Sequence, residues 1–68
     1  MIRVTELKNS DTNENSFLIS AFADTKAEVA TGKFIGLPEN AEIEMGSDIM
    51  TASGEMAFMK SDGNWSWI

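Results

Sequence analysis

The chain contains no histidine, cysteine or tyrosine, so any proton transfer or nucleophilic attack would fall to carboxylates, lysines or backbone groups. Glu42 and Glu44, two residues apart in an alternating run, would share one strand face. Such a pair can split its pKa values so that one carboxyl gives a proton and the other takes one. A chain of 68 residues has little room for a substrate cleft around them, and solvated strand-face acids are the simpler reading. Asp11, Asn13 and Asn15 place oxygens at the first, third and fifth positions of a calcium loop. The sixth position is Ser16 where such a loop needs Gly, and the twelfth is Phe22 where it needs a bidentate Glu. The glycines at 32, 36, 46, 54 and 63 never fall at phosphate-cradle spacings and read as turn residues. No catalytic residue, cofactor or metal site is expected, and the chain reads as non-enzymatic.

Charge bounds the partners. Eleven Asp and Glu against five Lys and Arg give a net charge of −6, which opposes contact with a phosphate backbone and disfavours direct nucleic-acid binding. Between Lys33 and Lys60 every charged residue is acidic: Glu39, Glu42, Glu44, Asp48 and Glu55. This run is read as a solvated face that keeps a small domain soluble. The sharper alternative is a surface that meets a basic partner or imitates a phosphate backbone.

These side chains must be positioned by one small domain, 1–68, whose surface-to-volume ratio leaves folding only marginally favourable. The lack of Cys excludes disulfides, and without His or Cys a structural zinc site is not expected. Self-association or docking on a larger assembly is therefore the expected supplement to the core. The sequence does not open on a basic segment followed by a long apolar run, and its apolar runs are only a few residues long. Neither a secretory signal nor a membrane span is expected, and the protein is expected in the cell that makes it or in a particle assembled there.

Alternation of side chains predicts an all-β fold, a small antiparallel sheet or open barrel. Ile2 to Leu7 reads as a first strand, and the polar tract 8–16 as a mobile loop. Phe17 to Ala23 is preferred as a buried strand, although a short helix also fits its pattern. Thr25 with Glu28 three residues on predicts a capping box, with one helical turn near 24–30 stopped by Gly32. Glu42-Ile43-Glu44-Met45 then predicts a half-exposed strand, acids on one face and Ile43 and Met45 on the other.

The segment 47–68 organises the rest as a three-stranded meander, turning at Ala52-Ser53-Gly54 and again at Ser61-Asp62-Gly63-Asn64. Two registers are open for the last hairpin. A two-residue Asp62-Gly63 loop would set Lys60 against Trp65 and Phe58 against Trp67, giving one aromatic face with Met56 beside it. A three-residue loop ending on a left-handed Gly63 would set Met59 against Trp65 and Ala57 against Trp67, and this second register is preferred. In either case Trp65 and Trp67 share a face that must be core or interface, since each ring buries on the order of 150–250 Å². The candidate interaction residues are Met56, Phe58, Met59, Trp65 and Trp67. The methionines, Met50 among them, suit core filling or an adaptable binding edge.

The blocks Asp24-Thr25-Lys26-Ala27-Glu28-Val29, Gly36-Leu37-Pro38-Glu39, Gly46-Ser47, Thr51-Ala52-Ser53-Gly54 and Lys60-Ser61-Asp62-Gly63-Asn64-Trp65-Ser66-Trp67, in that order, resemble small proteins of tailed-phage and prophage structural gene clusters. Those chains often end in a Ser-Asp-Gly-x-Trp hairpin. The resemblance covers about two-thirds of the chain and leaves Met1 to Ala23 without a counterpart. It implies a virion- or head-associated component, found in the virion or host-cell cytoplasm. Such a component would bind copies of itself or capsid or tail proteins, and no catalytic residues carry over. The alternative within the same setting is a small acidic inhibitor of a host nucleic-acid enzyme, acting by charge mimicry.

Overall fold

A computed structural model describes all 68 residues, Met1 to Ile68. Its first element pair follows from two β-rich runs flanking a polar tract: β1 (Ile2–Asn9) and β2 (Ser16–Ala23) form an antiparallel hairpin. Ile2, Val4, Ile19, Ala21 and Ala23 point to the inner face. Thr5 is an extra residue between Val4 and Glu6, where the register shifts, and its hydroxyl donates to the Ser20 carbonyl at 3.1 Å. Both strands run past the expected ends, so that the loop contracts to residues 10–15. The reason is local. The Asn9 side-chain amide donates to the carbonyls of Glu14 and Ser16, both at 3.1 Å, and ties the tract down.

The helical turn α1 (Lys26–Val29) is shorter than the expected segment. The Glu28 carboxylate accepts the backbone N–H groups of Asp24 at 3.1 Å and Thr25 at 3.3 Å, and also the Met1 ammonium. That ammonium, with the Thr25 N–H, holds the Glu28 carboxyl below its ordinary pKa. Val29 is buried and lays α1 on the inner face. The chain then crosses to the far side of β1, where β3 (Phe34–Ile35) pairs with it in parallel. Gly36 ends that strand at φ +95°, and a Cβ there would sit 3.5 Å from the Val4 side chain.

The strand expected over 42–45 ends two residues early. β4 (Glu42–Ile43) pairs in parallel with the start of β2, and a turn closed by the Ser47 N–H on the Glu44 carbonyl at 3.2 Å follows at once. Met45, expected on the inner face beside Ile43, is 66% exposed on that turn. The chain re-enters beside the same strand as β5 (Asp48–Thr51), parallel to the second half of β2. Between the two segments the Ile19 N–H lacks a ladder partner, and the Ser47 hydroxyl accepts it at 3.0 Å from a fully buried position.

The C-terminal meander forms as anticipated, β5 continuing into β6 (Met56–Met59) and β7 (Trp65–Trp67) in antiparallel pairs. The fold is mainly β, with seven strands in one open mixed sheet of order β3-β1-β2-β5-β6-β7 and β4 flanking β2. The parallel pairings were not anticipated. They arise because 24 residues (24–47) separate β2 from β5, long enough for the crossover that parallel strands require. The core cluster of Ile2, Ile19, Ala21, Ala23, Val29 and Ile49 lies on the inner face, with Val4, Phe17, Phe34, Leu37, Ile43, Trp65 and Trp67 packed around it. Eleven residues are buried, a small core for one domain. No helix is long and apolar enough to cross a membrane.

Candidate interaction surfaces

The last hairpin decides which candidate residues meet. The Gly63 N–H donates to the Lys60 carbonyl at 3.1 Å and the Lys60 N–H to the Asn64 carbonyl at 2.9 Å, with Gly63 at φ +83°. This is the three-residue loop with a left-handed glycine. The Asp62 carboxylate accepts the Asn64 N–H at 3.0 Å and lies 3.5 Å from the Lys60 ammonium. Its pKa is lowered, chiefly by that N–H. Met59 therefore faces Trp65, Ala57 faces Trp67 and Phe58 faces Ser66, the preferred one of the two registers.

The five candidate interaction residues fall on opposite faces. Met59 is buried on the inner face with the half-buried Trp65 and Trp67. Phe58 and Met56 belong to the outer face, so the single aromatic face of Phe58 with the tryptophans does not form. On the inner side, Trp65 stacks on Phe34 with ring centroids 6.4 Å apart, and the Lys26 ammonium lies 4.9 Å from the centre of the Trp67 ring. The Phe34–Trp65 contact joins the two terminal strands of the sheet, β3 and β7, and the Lys26 contact joins α1 to β7. Phe34 and Trp65 also floor an apolar groove of about 470 Å³ lined by Val29, Leu37, Ile43 and Met59, and Trp67 with Lys26 lines an adjoining hollow that shares Val29 and Trp65 with it.

The outer face carries the larger exposed apolar surface. Strand registers align Ile35, Arg3, Phe22, Met50 and Met56 in one row across β3, β1, β2, β5 and β6. The Ile68 N–H donates to the Met56 carbonyl at 2.9 Å and extends the row. The next row holds Glu6, Ser20, Asp48, Phe58 and Ser66. Ile35, Phe22, Met50 and Phe58 are between 41 and 50% exposed. Phe22 and Ile35 were not singled out from sequence. The available signal was β2 itself, where Leu18 and Phe22 make the face opposite Ile19 and Ala21 apolar as well.

The acidic residues do not gather. Glu39 and Glu42 are exposed near the start of β4, and the half-buried Glu44 accepts the Ser16 hydroxyl at 3.3 Å. Asp48 lies mid-face between Ser20 and Phe58. Glu55 accepts the Ser53 hydroxyl at 3.1 Å and the Thr51 hydroxyl at 3.4 Å in the turn after β5. Glu42 pairs beside Ser16 and Thr51 beside Ala23, so the acids spread over roughly 23 Å of strand length. No cluster of three or more acidic residues is placed to hold a metal ion. In the tract that resembled a calcium loop, the Asn13 side-chain oxygen accepts the Asn15 N–H at 2.9 Å and closes a turn.

No family model, curated protein or solved structure matches the chain.

Proposed function

We propose that the chain is a non-enzymatic structural and interaction module of a tailed-phage or prophage particle, assembling with copies of itself through the outer face of its sheet. The observation that carries this reading is the row of exposed Phe22 and Met50 with the half-buried Met56, flanked by exposed Phe58 and, across Arg3, by exposed Ile35. A contiguous apolar patch of this kind on a small domain marks a contact surface. A second copy is the occupant because the face carries both signs of charge. Arg3 and Lys8 alternate with Glu6 and Asp48, which lets a two-fold arrangement oppose cations to acids. The molecule's two longer principal extents are 34 and 22 Å, which bounds this face at about 750 Å² in plan, near the area per partner of a stable interface. The small core gives association a thermodynamic role. The phage setting is supported by the resemblance of the turn and hairpin blocks. The lack of His, Cys and Tyr supports a non-enzymatic role.

Sedimentation equilibrium tests the assembly. The parent should sediment as a dimer or larger species at tens of micromolar, and Phe22→Asp or Phe58→Asp should sediment as a monomer with unchanged far-ultraviolet circular dichroism. A parent that stays monomeric at 100 μM and melts at a concentration-independent temperature refutes self-association. The setting requires the gene to lie among capsid and tail genes, and a location elsewhere removes that part of the reading.

A further inference from the structure

The groove on the opposite, inner side of the sheet is a second and independent surface, and its chemistry is specific. In the β6–β7 ladder, Asn64 and Ile68 bond to β6 through the Lys60 N–H to Asn64 carbonyl and Ile68 N–H to Met56 carbonyl contacts. Antiparallel ladders alternate, so Ser66 also points to β6, and the backbone N–H and C=O groups of Trp65 and Trp67 point away from it. β7 is the last strand of the sheet, and those four groups have no strand to bond. On the other edge, the Asp24 N–H donates to the Met1 carbonyl at 3.2 Å, which turns Ile2 towards β3 and leaves the Phe34 N–H and C=O directed outwards. The residues whose rings floor the groove are thus also the residues whose amides are free along its two edges.

We infer that this seam binds an extended segment of a partner protein in which apolar residues alternate with acidic ones. Two free strand edges with an aromatic floor between them call for a strand, whose backbone completes the ladder while alternate side chains fill the apolar groove. The charge pattern selects the other side chains. Lys26 lies above Trp67, and the exposed Lys33 directly precedes Phe34 in the chain; neither has a carboxylate within ion-pair distance. They are two of five basic side chains in a protein of net charge −6, so an acidic segment meets attraction here and repulsion over most of the remaining surface. The one acid lining the groove is Glu42, at the end away from Lys26, which places the carboxylates of the segment towards α1.

The test uses the full chain and a blocked hexapeptide alternating valine with aspartate, with the valine–lysine hexapeptide and decanoate as comparisons. Titration followed by backbone amide nuclear magnetic resonance should move the Trp65, Trp67 and Phe34 signals and slow hydrogen exchange of those amides. The lysine peptide should bind at least tenfold more weakly. The double variant Lys26→Glu with Lys33→Glu, both changes on exposed side chains, should keep its spectrum and reverse that preference. Equal binding of the two peptides, unchanged preference in the double variant, or shifts confined to the outer face overturn the proposal. So does decanoate moving these signals while the aspartate peptide leaves them still, because the groove would then be a site for a small amphiphile. The Phe22→Asp variant should bind the aspartate peptide as the parent does, so failure of outer-face assembly and failure of this site are separately visible.

Discussion

A single hydroxyl bridges the gap that β4 and β5 leave along β2. Ser47 is fully buried and its oxygen accepts the Ile19 N–H at 3.0 Å, while its own carbonyl accepts the Met59 N–H at 2.8 Å. The hydroxyl replaces the ladder bond lost where β4 stops and β5 begins. Ser47→Ala leaves the Ile19 N–H buried without a partner, a loss of about 1–3 kcal/mol. Denaturant unfolding should show that drop, with the Ile19 amide gaining the largest increase in hydrogen exchange. Ser47→Thr should recover part of it, because the acceptor returns at the price of one methyl group in a tight site. A Ser47→Ala variant as stable as the parent would mean that the Ile19 N–H finds another acceptor. Sequence pattern alone did not expose this residue, since Gly46-Ser47 reads equally well as an ordinary break between strands.

At the scale of elements, what was legible depended on whether the cause was local. Both meander turns carry their chemistry in a few adjacent residues: Gly54 and Gly63 stand at φ +89° and +83°, a backbone conformation in which a Cβ is strained. Their positions, and with them β5, β6 and β7, could be placed from sequence. The side of the sheet that Phe58 occupies rested on loop length alone, because a one-residue slip exchanges the faces, and the preferred three-residue loop is the one that forms. The early end of β4 and the parallel β2–β5 ladder depend on contacts between distant residues, and no adjacent residue announces them. The hairpin turn also carries a pH dependence. Asp62 has a lowered pKa because the Asn64 N–H, and to a lesser degree the Lys60 ammonium, favour its charged form. A carboxyl whose folded pKa lies below its unfolded value stabilises the fold above the unfolded pKa, near 3.9, and that contribution disappears as pH falls through the lower folded value. The stability difference between the parent and Asp62→Ala should therefore be full at pH 6 and close below about pH 4. A difference that is unchanged at pH 2.5 would assign the loss to something other than the carboxylate.

For the molecule as a whole, the sheet is a hairpin and a meander held side by side, and the joint between them governs how the chain finds its fold. Every pair in the β2–β5 ladder, from Ser20 with Asp48 to Ala23 with Thr51, joins residues 28 apart. Closing a loop of that length costs about 3 kcal/mol of chain entropy, whereas the hairpin and the meander each form from near neighbours within microseconds. The length of this closure predicts a transition state in which Ala21 and Ile49 have met. Ile49→Val should consequently slow folding, with most of its effect on the folding rate. Trp67→Phe, at the far edge of the meander, should mainly speed unfolding. Stopped-flow chevrons of the two variants decide the point, and the opposite partition would place the nucleus in the C-terminal hairpin. The same joint sets the order of exposure during synthesis: β1 and β2 leave the ribosome before β4 and β5, and until those arrive the edge of β2 that they pair with stands open.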